Sequence, residues 1–77
     1  MSVTTHEATL DGMRIAYSSE TYFAVQVGRG KKGAYMLKYS IKGSLARACM
    51  YFNSINIGNG YKKRLLMNGK CLAKQTS

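Results

Sequence analysis

Residues 21–41, TYFAVQVGRGKKGAYMLKYSI, contain two alternating segments around a basic, glycine-rich loop. In residues 21–27, Phe23, Val25 and Val27 alternate with Tyr22, Ala24 and Gln26, and residues 34–41 alternate in the same way. An apolar residue at every second position is typical of a strand that buries one face. The intervening GRGKKG has the length of a hairpin loop. The stretch therefore predicts two antiparallel strands joined by a basic loop.

A third strand is predicted upstream, over residues 13–18, which also alternate. The preceding Asp11-Gly12 is a strong hairpin signal, because both residues tolerate positive φ. Residues 4–10 either pair with this strand or form part of a frayed leader, residues 1–9. With the two strands of residues 21–41, the third strand completes an antiparallel meander.

Downstream of Gly43 the apolar period changes from that of a strand to that of a helix. Ser44 is a suitable N-cap, since its hydroxyl can accept a hydrogen bond from a free amide of the first turn. Gly58 is a natural left-handed stop. A helix over residues 45–56 is predicted to cover the apolar side of the sheet with one face, formed by Leu45, Ala48, Cys49, Phe52 and Ile55.

A final hairpin is predicted over residues 61–74, with its turn at Asn68-Gly69. A two-residue turn gives three facing pairs: Met67 with Lys70, Leu65 with Leu72, and Lys63 with Lys74. Like charges that face each other across a ladder cost up to ~1 kcal/mol, so either a bound anion relieves the last pair or its side chains splay apart. The order is β-β-β-α-β-β, an α+β fold in which one helix packs on one face of a small antiparallel sheet. Residues 1–77 are expected to form a single domain.

Charge is distributed very unevenly along the chain. The formal net charge is +9, and the three acidic residues are Glu7, Asp11 and Glu20. Of the twelve Lys and Arg residues, only Arg14 precedes Glu20, so the other eleven lie in a segment without acids. Because a field of one sign repels itself, this segment predicts an anionic partner. That partner is either a nucleic acid, DNA in preference to RNA, or an acidic host protein. The small core also makes a homodimer reasonable.

Candidate contact residues come from the basic hairpin tip, the strand that starts at Tyr61, the last hairpin and the open sheet face. Glycines let the tip approach a phosphate closely, although a purely solubilising turn would have the same composition. Alternation places Lys62 and Arg64 on the open face, while Lys63 points to the other side. The alternative for the open face is simple solvation. The full candidate set is Arg14, Tyr22, Arg29, Lys31, Lys32, Lys38, Tyr61, Lys62, Lys63, Arg64, Lys70 and Lys74.

Cofactor, metal and enzyme functions find little support in the sequence. GRGKKG matches the glycine spacing of a dinucleotide fingerprint, but a strand rather than a helix is predicted to follow it, and no acidic residue lies downstream. A lone His6 and two cysteines outside any CxxC give no metal-binding spacing. The three carboxylates are confined to the first twenty residues. We therefore expect no cofactor, no metal and no enzymatic activity.

The cysteines and hydropathy indicate the compartment. Cys49 and Cys71 are expected to be small buried hydrophobic residues in a reducing environment, with a single disulfide as the alternative. The first twelve residues lack the apolar core of a signal peptide, and no apolar run is long enough to cross a bilayer. We expect a cytoplasmic protein that does not bind membranes.

Two resemblances add to this interpretation. The predicted meander and helix, residues 13–56, are similar in arrangement to the DNA-binding domains of plant ethylene-response factors and to integrase amino-terminal arms. That resemblance implies a sheet in the major groove with Arg14, Arg29 and Lys38 directed at DNA, although the family's tryptophan is absent here. The small size, the basic charge and residues 51–64, YFNSINIGNGYKKR, resemble small host-takeover accessory proteins of tailed bacteriophages. This second resemblance implies binding to a host enzyme in the bacterial cytoplasm.

Overall fold

The computed structural model describes residues 4–29 and 34–76. Within these ranges the chain forms six strands and one helix, and the predicted α+β class is confirmed. The elements are β1 (Thr5–Leu10), β2 (Met13–Ser18), β3 (Tyr22–Gly28), β4 (Tyr35–Lys42), α1 (Leu45–Ser54), β5 (Lys62–Met67) and β6 (Lys70–Thr76).

The strands form two antiparallel sheets rather than one. β1 and β2 make a two-stranded sheet, and the other strands make a four-stranded sheet in the order β4-β3-β5-β6. β3 pairs with β4 on one edge and with β5 on the other, which leaves no edge for β2. The predicted three-stranded meander is therefore wrong, and so is the arrangement behind the resemblance to the ethylene-response factors. Residues 5–9 of the suspected leader belong to β1, which pairs with β2.

Both predicted two-residue turns are present. Asp11 and Gly12 have φ of 51° and 78°, and Asn68 and Gly69 have φ of 50° and 86°, as expected for hairpin turns in which both central residues are left-handed. Asn68 also joins its turn to the start of β3. The Tyr22 amide donates to Asn68 Oδ1 at 3.0 Å, and the Asn68 amide donates to the Tyr22 carbonyl at 2.8 Å.

The helix begins as predicted but ends earlier. Ser44 is the N-cap, and its Oγ accepts a hydrogen bond from the Arg47 amide at 3.2 Å. At the other end, Ile55 is already extended, with φ of −79° and ψ of 126°. α1 therefore stops at Ser54 and not at Asn56, and the predicted left-handed stop at Gly58 is wrong.

The hydrophobic core lies on one face of the four-stranded sheet. Both α1 and β2 pack there, and the ring of Tyr17 in β2 meets Phe23 edge-on, with 5.7 Å between ring centroids. The helix therefore covers one sheet face as predicted, and the β1–β2 hairpin shares that side. The buried cluster comprises Ile15, Phe23, Val25, Ile41, Leu45, Ala48, Phe52, Leu65 and Leu72. We call the opposite face of the four-stranded sheet the open face.

A bulge in β4 changes which side chains reach the core. Val25 pairs with Tyr39 and Gln26 pairs with Leu37, so Lys38 is left between two ladder positions. Strict alternation predicts Leu37 in the core, but this residue is 59% exposed. One extra residue in a strand moves the side chains of all the residues beyond it to the opposite face of the sheet.

A second bulge, in β6, changes the facing pairs of the last hairpin. Met67 faces Lys70, as predicted. Beyond the bulge, Leu65 faces Ala73 instead of Leu72, and Lys63 faces Gln75 instead of Lys74. The two predicted pairs are therefore wrong. Lys74 instead faces Arg64, so two cations still face each other, with Arg64 in the place predicted for Lys63.

Candidate anion-binding surface

Strand pairing aligns the side chains of the open face in rows that cross all four strands. Two neighbouring rows near the β3–β4 connection contain Leu37, Gln26, Arg64 and Lys74, and then Tyr35, Gly28, Lys62 and Thr76. Their three cations, Lys62, Arg64 and Lys74, form what we call the basic cluster. It lies at the end of the sheet from which the basic loop extends.

Arg64 is the most strongly positioned member of the basic cluster. Its Nε donates to Gln26 Oε1 at 2.7 Å, and its Cζ lies 4.0 Å from the centroid of the Tyr35 ring. These contacts use one edge and one face of the guanidinium. Among the residues that the structure describes, no acceptor engages the two terminal amino groups of Arg64. These groups form a pair of parallel donors, a geometry that suits a phosphate or carboxylate.

Acidic residues neutralise cations elsewhere on the molecule. Arg14 Nη2 contacts Glu7 Oε2 at 3.2 Å on the β1–β2 hairpin, so the prediction that Arg14 lies on the open face is wrong. Lys42 Nζ contacts Glu20 Oε2 at 3.2 Å, and this hydrogen bond and the negative charge of Glu20 raise the pKa of Lys42. Within residues 4–29 and 34–76, no carboxylate forms an ion pair with the basic cluster.

Tyr22 is exposed, as the sequence predicts. The residue is 55% exposed, and Lys42 Nζ lies 5.5 Å from its ring centroid. β3 runs from Tyr22 to Gly28, so Tyr22 lies at the opposite end of the sheet from Lys62. Lys70, also exposed, faces Met67 at that distant end. These two candidates are therefore separated from the basic cluster.

Lys63 is an interior residue and not a surface contact. It is 3% exposed, and its Nζ donates to the carbonyl oxygens of Phe52 at 2.6 Å and Ile55 at 2.9 Å. The ammonium also lies 4.8 Å from the Phe52 ring centroid. The free carbonyls and partial negative charge at the end of a helix favour a cation there. The assignment of Lys63 to the contact set is therefore wrong, and its role is to cap α1.

A groove lies on the helix side of the sheet, near the basic cluster. It has a volume of about 370 Å³, and its lining includes Val27, Tyr39, Ile55 and Tyr61. Arg29 Cζ lies 5.2 Å from the Tyr61 ring centroid. Lys38 also lines the groove, although the sequence predicts it on the open face with Tyr22. The β4 bulge accounts for this change of position.

Two further candidates, Lys31 and Lys32, lie outside the described residues. Conversely, sequence reasoning missed Gln26 and Tyr35, which position Arg64, and Lys42, which pairs with Glu20. Strict alternation assigns Tyr35 to the core side, and only the register around the β4 bulge places it beside Arg64.

Cys49 and Cys71 do not form a disulfide. Cys49 is half-buried against the core, and this burial is the main cause that raises the pKa of its thiol. Cys71 is exposed, so its predicted burial is wrong. Neither cysteine belongs to a metal-binding group: the described residues contain no cluster of three or more His, Cys, Asp or Glu side chains.

Comparison with protein-family models, curated proteins and solved structures finds no match to this chain. The resemblance to phage accessory proteins stays a prediction. In the part of the chain that the structure describes, no helix is long and apolar enough to cross a membrane.

Proposed function

We propose that this protein is a non-enzymatic nucleic-acid-binding protein of the cytoplasm, with DNA favoured over RNA. The observation that carries the proposal is the position of Arg64. Gln26 and Tyr35 hold its guanidinium in place, Lys62 and Lys74 share its sheet face, and no carboxylate of the described residues pairs with it. A group of cations that includes one guanidinium held in a fixed orientation suits a phosphodiester backbone.

The arrangement of charge supports a partner that contacts one end of the sheet. Gly28 pairs with Lys62, so the loop that follows Gly28 leaves the sheet beside the basic cluster. Arg29, Lys31 and Lys32 belong to that loop in sequence. Arg64 and Lys74 face each other in the β5–β6 ladder, and the Arg64 guanidinium is turned across β3 towards Tyr35. The cations of the basic cluster are thus spread across several strands of the open face, where they can contact successive phosphates.

Fluorescence anisotropy with labelled single-stranded and duplex DNA and RNA, between 50 and 200 mM salt, tests the proposal. The basic cluster and the three cations of the loop supply about six phosphate contacts, for which affinity falls by roughly 10³-fold over this range. The control is Arg14→Gln, because Arg14 is already paired with Glu7 on the other hairpin. Absence of binding to every probe at the lowest salt concentration would refute the proposal.

A second candidate function is that of a phage-type inhibitor which docks on an acidic surface of a host protein. The observation that favours it is the apolar exposure of β4, an edge strand of the sheet. Met36 and Tyr39, on the helix side of the sheet, are 66% and 40% exposed, and Leu37, which the bulge places on the open face, is 59% exposed. An apolar centre beside a cationic rim is the usual composition of such interfaces, in which charge mainly accelerates association.

A tagged pull-down from bacterial lysate, with and without nuclease, separates the two functions. An inhibitor retains one protein in stoichiometric amount after nuclease treatment and at moderate salt. A nucleic-acid-binding protein loses its bound material when nuclease is added. Sedimentation of the purified protein determines in the same series whether it is a homodimer.

A further inference from the structure

We propose that the groove beside Tyr61 receives an unpaired nucleobase, and that this protein therefore prefers a single strand to a duplex. This inference rests on the proposed function and adds the class of nucleic acid. A base inside a duplex is stacked and paired, so only a single strand, or an unpaired segment, can place a base in a concave site.

The size and walls of the groove suit a planar aromatic ligand. Its volume of about 370 Å³ lies at the lower end of the roughly 300–1,000 Å³ range of small-molecule sites. Val27 and Ile55 provide aliphatic surface, and Tyr39 and Tyr61 provide aromatic surface. Tyr39 stacks on Tyr51 of α1, with 4.4 Å between ring centroids and 15° between ring planes, so this part of the wall is held in place before a ligand binds.

The charge of the groove suits a nucleotide rather than an uncharged aromatic compound. Lys38 is among the lining residues, Arg29 lies over Tyr61, and no lining residue is acidic. Arginine is a common stacking partner for unpaired bases and also a phosphate ligand. Asn56 contributes an amide to the lining, and an amide can hydrogen-bond a base edge.

The groove and the basic cluster are close enough to bind one strand. Tyr61 directly precedes Lys62, and Arg29 directly follows Gly28, which pairs with Lys62. A flexible strand that lies on Lys62 and Arg64 can thus turn over the end of the sheet and reach Tyr61 within a short path. A duplex is too stiff for such a turn, since its persistence length is ~150 base pairs.

Lys63 positions one wall of this groove. Its Nζ holds the Ile55 carbonyl at 2.9 Å, just where the chain leaves α1 and enters the segment that lines the groove. The buried lysine therefore links the end of the helix to the site without contacting a ligand itself.

The first test is an NMR titration of the ¹⁵N-labelled protein with dTMP and, separately, with inorganic phosphate. We expect dTMP to shift the amides of residues 55–58 and Tyr61, and phosphate alone to leave them unchanged. Equal shifts with phosphate would mean that the groove binds an anion and not a base, and would overturn the inference. Shifts with a synthetic peptide of Glu and Leu, but none with dTMP, would assign the groove to a protein partner instead.

The second test compares single-stranded and duplex DNA by anisotropy with Tyr61→Leu. Loss of one base-stacking contact should lower single-strand affinity by about 5- to 150-fold. Duplex affinity should not change. Tyr61→Phe keeps the aromatic face and should retain single-strand affinity. Tyr22→Leu is the matched control, because Tyr22 is exposed at the far end of the sheet.

The outcomes distinguish this inference from the proposed function. Equal losses on single strands and duplexes, or the same loss with Tyr22→Leu, would overturn the inference and leave nucleic-acid binding intact. No binding to any polymer would refute the proposed function, while the dTMP titration would still show whether the groove takes a nucleotide. If Tyr61→Leu does not fold, Arg29→Gln removes the exposed cation that lies over Tyr61. Because Arg29 is also counted as a phosphate contact, both polymers should bind more weakly, with the larger loss on the single strand, and equal losses would overturn the inference.

Discussion

Lys62 and Lys63 are adjacent in one strand, yet they belong to different parts of the molecule. Lys62 lies on the open face with Arg64, whereas Lys63 is 3% exposed and caps the last carbonyls of α1. The difference shows that a run of basic residues is not automatically a basic surface. Alternation along β5 sends every second side chain to the core, and the fold must then provide that charge with a partner.

The partner of Lys63 is the protein backbone. A buried cation without compensation is costly, and the chain has no acidic residue after Glu20. The carbonyls of Phe52 and Ile55, at the negative end of a helix, provide the compensation. The open-face cations Arg64 and Lys74 are instead accessible to solvent, and Arg64 also donates to Gln26. β5 therefore carries one charge that the backbone satisfies in the interior and one that remains accessible on the surface.

The largest effect is expected from Lys63→Met, which tests the interior side of this comparison. The variant keeps an unbranched side chain of similar length but leaves the buried Phe52 carbonyl and the half-buried Ile55 carbonyl without their charged donor, a loss of about 2–3 kcal/mol. Urea unfolding measures this loss directly. In a domain of this size each kcal/mol also lowers Tm by roughly 4–8 °C. The matched control, Lys62→Met, should change stability by no more than about 0.5 kcal/mol, and equal losses in the two variants would contradict the structure.

The next largest effect is expected from the cations of the basic cluster on the open face. Replacing Lys62, Arg64 and Lys74 together by Gln removes three phosphate contacts, so the slope of log affinity against log salt should decrease in magnitude by about 2.7 for duplex DNA. Anisotropy over a salt series measures the slope. Arg14→Gln, which removes a cation paired with Glu7, should leave the slope unchanged. A similar decrease in both variants would mean that the net charge, and not the open face, determines binding.

These two expectations also show what the sequence alone could predict. The hairpin turns at Asn68-Gly69 and Asp11-Gly12, and the N-cap at Ser44, are determined by a few neighbouring residues, and the structure confirms them. The apolar periods identified one helix and most of the strands for the same local reason. The inward direction of Lys63 also follows from its alternation with Leu65, and is the signal that could have excluded it from the contact set.

The features that the sequence did not predict depend on distant partners. The bulge beside Lys38 is fixed by how β4 aligns with β3, and no local residue signals it. The same bulge places Tyr35 next to Arg64 and Leu37 at the surface. Likewise, β2 does not pair with β3 because β5, which lies far away in the sequence, occupies that edge of β3. These two facts account for the misplaced Lys38 and Arg14 in the candidate site.

A smaller effect separates the charge of Arg64 from its geometry. Arg64→Lys keeps the positive charge, so the salt slope should not change. It removes the hydrogen bond to Gln26 and the contact with Tyr35, and should lower stability by about 0.5–1 kcal/mol. Weaker binding at an unchanged slope, measured by anisotropy, would show that the oriented guanidinium matters. The control is the opposite substitution, Lys74→Arg, which also keeps the positive charge. Unchanged affinity in Arg64→Lys would mean that Arg64 contributes only its charge to binding.

The smallest effect extends the comparison between surface and interior to the two thiols. Cys71 pairs with Leu66 and is exposed, whereas Cys49 is half-buried on α1. Burial raises the pKa of the Cys49 thiol above its usual range, so the native state keeps this proton to a higher pH than the unfolded state does. Stability should therefore decrease slightly as pH rises through 9 in the wild type but not in Cys49→Ala. Labelling with a thiol reagent should modify Cys71 first, and faster labelling of Cys49 would show that α1 does not protect it.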